Sequence, residues 1–393
     1  MTPGYTYLDN NATTRPAPEV VDSVREMLID TWGNPSSSHP LGQRAAFRIQ
    51  QARREVAACI GAHPDEIVFT SGGTESDMLA IRGALSARPR QRHWITAETE
   101  HDAVITLSEQ LQGEGITVTR LPVDPRGQID AVQFERAIRP DTALVSLMLA
   151  NNETGVLLPI AEFARLCRQR GVLLHTDAVQ AVGKVPVNVA ELGVDLLSLS
   201  SHKIHGPKGA GALYVRRGVE LQPLIVGGHQ EHDVRGGTEN APGIVGLGAA
   251  ARLVSSQPDP HHADVRALRD RLEAGLQRVG AEVRIIGAGS PRLPNTTCAG
   301  FEGLRSEQIL VALAERGLYA SGGSACHSGS LEPSRVLRMM GVPRDAALGA
   351  VRFSLSRDST PADVDRLLEV LPEILRRLES TRVSPAQCGV AGA

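Results

Sequence analysis

Seven short apolar runs, EIVFTS, HWITAE, ITVTRLPV, TALVSLMLA, VLLHTDA, DLLSLSS and GALYVRR, follow one another between residues 66 and 217. They are rich in β-branched residues, and most are apolar at nearly every position, as strands covered on both faces must be. Between most of them the apolar residues change to helical spacing, as over 74–88 and 159–170. Strands that alternate with helices predict an α/β fold: a three-layer domain built on a mostly parallel seven-stranded sheet.

After this region SSQPDPHHAD (255–264) reads as a boundary, and the remainder carries enough helix and short-strand signal for a smaller α+β domain. The expected partition is 15–256 for the large domain, with 1–14 and 257–380 forming the small one and 381–393 a flexible tail. The glycines of GIVGLGAA follow no strand, so they are expected to permit close helix packing rather than dinucleotide binding.

Composition narrows the function. The chain has 393 residues, 41% hydrophobic and 22% charged, enough for two cores, and its net charge of −3 argues against direct binding of nucleic acid. No stretch approaches a membrane span, and MTPGYTYLDNNATT lacks the basic flank and apolar core of a secretory signal, so a cytoplasmic location is expected. The cysteines, Cys59, Cys167, Cys298, Cys326 and Cys388, are odd in number and scattered, which suits neither a disulfide framework nor a metal site.

Only three of the 41 basic side chains are lysines: Lys184, Lys203 and Lys208. An amine can condense with an aldehyde, whereas a guanidinium stays protonated and cannot. Lys203 is the best placed, at the end of DLLSLSSHK, where a buried strand delivers its last side chains to a rim. Other rim residues keep it company. GGTES, after EIVFTS, offers helix N-terminal amides with Gly73 and Thr74 as a phosphate cradle, and no GK[ST] follows to make it a Walker loop. His101, Asn152, Asp177 and Gln180 follow the next strands, where open α/β sheets bind ligands. Taken singly, GGTES could be an ordinary capped helix start, His101 a capping histidine and Asp177 a strand-end carboxylate. Together they match pyridoxal 5'-phosphate, which needs a phosphate cradle, a Schiff-base lysine, a carboxylate at the pyridine nitrogen and a ring-stacking side chain.

Cys326 lies in ASGGSACHSGSLEPS, too polar and glycine-rich for a core. Beside His327, its thiol is expected to be accessible and nucleophilic, whereas Cys59 and Cys167 sit on apolar helix faces and Cys388 in the tail.

These residues lie in motifs that resemble the cysteine desulfurases of the NifS and IscS type, within the class V aminotransferase group, with the NifS branch nearest. The resemblance spans nearly the whole chain: YLDNNATTR, GNPSSSHPLG, FTSGGTESD, TEHDAV, ANNETG, HTDAVQAVGK, SSHKIHGPKG, GGHQE, GGTEN, RLPNT, SGGSACHSGSLEPS and VRFSLSR. It implies a fold-type I pyridoxal-phosphate transferase whose small domain carries the Cys326 loop. By position, Lys203 would be the Schiff-base lysine, His101 would stack on the ring, Asp177 would pair with its nitrogen and Gln180 would contact its phenolic oxygen. Gly73, Thr74, Ser200 and His202 would bind the phosphate, and Thr238 would reach the phosphate of a partner subunit, which implies a homodimer. Asn152 and Arg352 would hold the carboxylate of L-cysteine, and Cys326 would take the sulfur as a persulfide for an acceptor protein, an iron-sulfur scaffold or the acceptor of another pathway. Two departures stand out: His232 and Val234 where arginines are common, and His327 where threonine is usual. An ACHS sequence also occurs in selenocysteine lyases, which leaves that activity open; an ordinary aminotransferase, which would need no Cys326, and a non-catalytic scaffold for sulfur-accepting partners are separate alternatives.

Overall fold

The computed structural model describes residues 4–256, 260–322 and 332–380, with only the backbone of 260–262. In chain order the strands are β1 Thr6–Tyr7, β2 Ile67–Thr70, β3 His93–Ala97, β4 Thr117–Leu121, β5 Thr142–Ser146, β6 Leu173–Asp177 and β7 Leu196–Ser200. Then come β8 Gly211–Val215, β9 Val283–Ile286, β10 Thr296–Phe301, β11 Leu318–Tyr319, β12 Ser321–Gly322 and β13 Ala350–Ser354.

Each of the seven apolar runs becomes one strand of a seven-stranded sheet, in the order β2-β8-β7-β6-β5-β3-β4. The five strands from β7 to β4 are mutually parallel, while β8 runs antiparallel to both of its neighbours. TALVSLMLA is longer than its strand: β5 ends at Ser146, and the buried residues 147–150 carry the chain across the sheet's carboxyl edge.

Alternate residues feed opposite cores, as the two-residue period of a strand requires. Ile67, Phe69, Leu174 and Leu197 pack against helices Pro40–Cys59, Ile160–Gln169 and Ala241–Ser255. Val68, Leu173 and Leu196 face the other way, toward helices Gly73–Ala87 and Asp102–Gly113. The glycines of GIVGLGAA do permit close packing: a Cβ on Gly248 would lie 2.6 Å from the Ala52 Cα, and one on Gly246 would lie 2.8 Å from Pro207 and Val24.

A second sheet, antiparallel in the order β12-β13-β10-β9, packs with helices Ser306–Glu315 and Pro361–Ser380 around Leu272, Phe301, Phe353, Leu367 and Leu371. The N-terminal strand joins this core. β1 pairs in parallel with β11, and Leu8 is buried in the same cluster. The chain then returns through Asn10 and Asn11, which bond to Ser354 in β13.

Candidate active site

The carboxyl ends of the parallel strands open onto a cleft of about 320 Å³. At its floor, helix Gly73–Ala87 points its N-terminus inward, leaving first-turn amides without intrahelical acceptors. Gly73 lets the backbone come close, since a Cβ there would sit 2.8 Å from the Val179 Cγ2. Beside it Ser200, the last residue of β7, has a buried hydroxyl with no hydrogen-bond partner. The His202 ring is held at Nδ1 by the Thr13 hydroxyl, 3.2 Å away. Burial, together with Lys203, Lys208 and Lys184, pushes its pKa down to about 4, so the ring is neutral at physiological pH. Amides, a spare hydroxyl and a neutral imidazole form a cradle with the donors that a phosphate requires.

Asp177 ends β6, and its Oδ1 accepts the Val179 amide at 2.8 Å. Burial raises its pKa, while His101 and Lys203 pull the other way. Two further carboxyls lie alongside, neither anticipated from the sequence. Asp77, on the helix beneath, has an Oδ1 without a hydrogen-bond partner and is raised well above the usual range by burial and by Asp177. Glu100 accepts the Met148 amide at 2.9 Å and is likewise raised by burial. His175 lies 3.6 Å from Asp77, but burial lowers its pKa to about 3, so it supplies no charge. Of the three carboxyls, Asp177 alone is held down by His101 and Lys203, and it is therefore the natural seat of the negative charge.

The Lys203 Nζ donates to the Asn11 and Ala12 carbonyls at 2.6 and 2.8 Å, which turns the amine into the cleft wall. His101 does cap its helix, accepting the Ala103 amide at Nδ1. That bond occupies Nδ1 and leaves Nε2 as the ring nitrogen that carries a proton. Gln180 donates to the Asn11 carbonyl at 2.9 Å and accepts from Lys184 at 2.5 Å. Arg352, in β13, donates to the Asn152 carbonyl at 3.0 Å and to Asp9 at 2.8 Å, keeping a buried Nε without an acceptor.

One fold thus brings Gly73, Thr74, His101, Asn152, Asp177, Gln180, Ser200, His202, Lys203 and Arg352 to one cleft. Thr238 is not among the lining residues; it is exposed on the loop that Arg235 ties to Glu75 at 3.0 Å. Cys326, His327 and Cys388 lie outside the described residues. Cys59, Cys167 and Cys298 have pKa values pushed up by burial to about 11, 12 and 12, so their thiols are inert. Sequence reasoning missed Asn11, Glu153 and Arg335 as cleft residues. Asn11 and Glu153 had a signal, lying inside YLDNNATTR and ANNETG; nothing in the sequence pointed to Arg335, which donates to the Glu98 and Glu100 carbonyls and to Asp102.

The aminotransferase class-V family model matches residues 6–367. A protein of Trichormus azollae named cysteine desulfurase is 50% identical over 98% of this chain and 96% of its own length. The cysteine desulfurase NifS of Azotobacter vinelandii is 48% identical over 98% of this chain and 95% of its own. A solved structure titled NifS-like protein superposes with a TM-score of 0.89 at 37% identity, covering 95% of this chain and all of the other.

Proposed function

This chain belongs to the class-V aminotransferase family, and from that premise we infer that it is a pyridoxal-phosphate-dependent cysteine desulfurase, converting L-cysteine to L-alanine. The observation that carries the reading is the orphaned Ser200 hydroxyl beside a helix N-terminus, in the same cleft as Asp177 and Lys203. The residues fit the cofactor. Gly73, Thr74, Ser200 and His202 would hold its phosphate, Asp177 its ring nitrogen, Gln180 its phenolic oxygen and Lys203 its aldehyde. When bound, pyridoxal phosphate supplies an electron-poor ring that stabilises negative charge at the substrate Cα.

The chain's own residues do the rest. Arg352 and Asn152 orient the substrate carboxylate, with the guanidinium exchanging its single contact to Asp9 for a two-pronged one. The Lys203 amine moves the proton at Cα, and Asp177 keeps a proton on the ring nitrogen. His101, with its proton on Nε2, shuttles a proton at the substrate thiol. The Cys326 thiolate attacks the substrate sulfur: an S–S bond forms, the C–S bond breaks, and the electron pair left at Cβ takes a proton. The products balance as L-alanine and a persulfide on Cys326.

Several further assignments belong to the same reading. Residues 15–256 form the cofactor-binding domain, and residues 1–14 with 257–380 the domain that carries Cys326. The enzyme works as a homodimer, with Thr238 reaching the partner subunit's phosphate site, and hands sulfur to an acceptor protein of iron-sulfur cluster assembly or of another sulfur-acceptor pathway in the cytoplasm. No helix among the described residues is long and apolar enough to cross a membrane. Relatives named cysteine desulfurase at about half identity favour this activity over a selenocysteine lyase or a non-catalytic scaffold.

Borohydride reduction of the cofactor-loaded protein should label Lys203. Cys326→Ala should abolish sulfide release while leaving the cofactor absorbance intact. Label on another residue, or undiminished sulfide, would sink the mechanism.

A further inference from the structure

The desulfurase reading gives no task to Lys184, the second of the three lysines. It is nearly buried, at 8% exposure, with no ion-pair partner among the described residues. An amine in such a place normally needs a carboxylate. Here its Nζ instead donates to two carboxamide oxygens, Gln180 Oε1 at 2.5 Å and Asn11 Oδ1 at 3.3 Å.

The remaining bonds of both amides follow from that choice. With Oε1 taken, Gln180 turns its nitrogen to the Asn11 carbonyl, the same oxygen that receives the Lys203 amine. With Oδ1 shared between Lys184 and Asn295, Asn11 turns its nitrogen to the Thr296 hydroxyl and the Asn152 carbonyl. One Nε2 hydrogen of Gln180 then has no acceptor among the described residues, and Gln180 lines the cleft. A carboxamide is a donor at one end and an acceptor at the other, so what it offers a ligand depends on which end is anchored.

We propose that Lys184 is a positioning residue of the cofactor site, locking the Gln180 and Asn11 amides so that Gln180 presents a donor, never an acceptor, to the phenolic oxygen of the bound ring. The proposal rests on the desulfurase reading. It gives a physical reason for a lysine at 184: burial, with Lys203 and Arg352 nearby, lowers its pKa well below the usual lysine value, yet its amine still supplies N–H donors to both amide oxygens, and those two donated bonds anchor the oxygen ends of its neighbours.

The test is the rate at which the holoenzyme loses cofactor, followed by its visible absorbance after transfer into cofactor-free buffer. Lys184→Gln can offer an oxygen to Gln180 and release its orientation; loss should be about 10-fold faster, the equivalent of one hydrogen bond. Lys184→Arg still only donates and should stay within about twofold of the wild type. Gln180→Leu, which removes the amide together with the amine's 2.5 Å acceptor, should lose cofactor at least as fast as Lys184→Gln, and the double variant should be no worse than Gln180→Leu alone. Wild-type retention in Lys184→Gln or Gln180→Leu, equal losses in the Arg and Gln variants, or additive losses in the double variant would each overturn the proposal. Failure of the wild-type protein to bind the cofactor at all would instead remove the desulfurase reading beneath it.

Discussion

Two buried arginines in this molecule each meet a carboxylate, one buried and one half-buried, and the two pairs differ in use. Arg53 meets Glu231 through two parallel bonds of 2.9 and 2.6 Å, and Glu231 also accepts the Phe69 amide at 2.7 Å. Arg352 meets Asp9 through one bond of 2.8 Å and faces the cleft. Both guanidiniums keep an Nε without an acceptor, so an unused donor does not by itself mark a site. The difference lies in the carboxylate. Glu231 is saturated and secures a loop in which Glu231, His232 and Asp233 all hold positive φ of 44 to 64°, an unfavourable conformation for side-chain-bearing residues. Asp9 is a monodentate partner, which on the proposed reading gives way to a substrate carboxylate. The lesson is that saturation of the acceptor separates a structural lock from a binding group.

Breaking the lock should have the largest effect. Arg53→Met strands Glu231 in the interior and should cost about 3–5 kcal/mol, read as a lowered denaturant midpoint. A loss below about 1 kcal/mol would place the pair with ordinary surface bridges. The equivalent change in the other pair, Arg352→Met, should leave a partly hydrated Asp9 and reduce stability less. Its mark should be a kcat/KM for L-cysteine lowered about 100-fold, roughly 2.8 kcal/mol, carried mainly by KM. A fall in kcat at constant KM would contradict a role in holding the carboxylate.

Glu153 sharpens the comparison because it lies between the two cases. One oxygen accepts the Ser334 hydroxyl at 2.6 Å, and Arg352 and Arg335 lie near, but burial dominates and pushes the carboxyl from 4.5 up to about 7. Between those values the folded protein keeps a proton that the unfolded chain has released. Stability therefore falls as pH rises from 4.5 to 7 and remains lower above that range. Glu153→Gln should remove the slope and be more stable than the wild type at pH 8 by about 2 kcal/mol, the linkage gain less a weakened Ser334 bond. A stability profile with the same slope in both proteins would show that Glu153 titrates normally.

Much of this was legible locally. The seven strands could be read because both-face burial leaves continuous apolar runs, and strand ends identify rim residues once the sheet is parallel. That reasoning led to Lys203, Asp177, His101 and the Gly73–Thr74 turn. Thr238 was legible only by resemblance, and it lies exposed on a loop outside the cleft. Asp77 sits inside the FTSGGTESD motif yet went unnoticed, because a carboxylate on an amphipathic helix reads as solvated. Its burial depends on Asp177 and His175, a hundred residues on.

The order of strands and helices, the polar set at their carboxyl ends and the chemistry those residue types allow were settled by the amino-acid sequence alone, because each depends on patterns a few residues long. Which carboxyl keeps the charge, which way the Gln180 amide faces and why Lys184 is a lysine were decided only by tertiary structure. Those properties depend on burial and on partners such as Asn11, brought to the site from far along the chain.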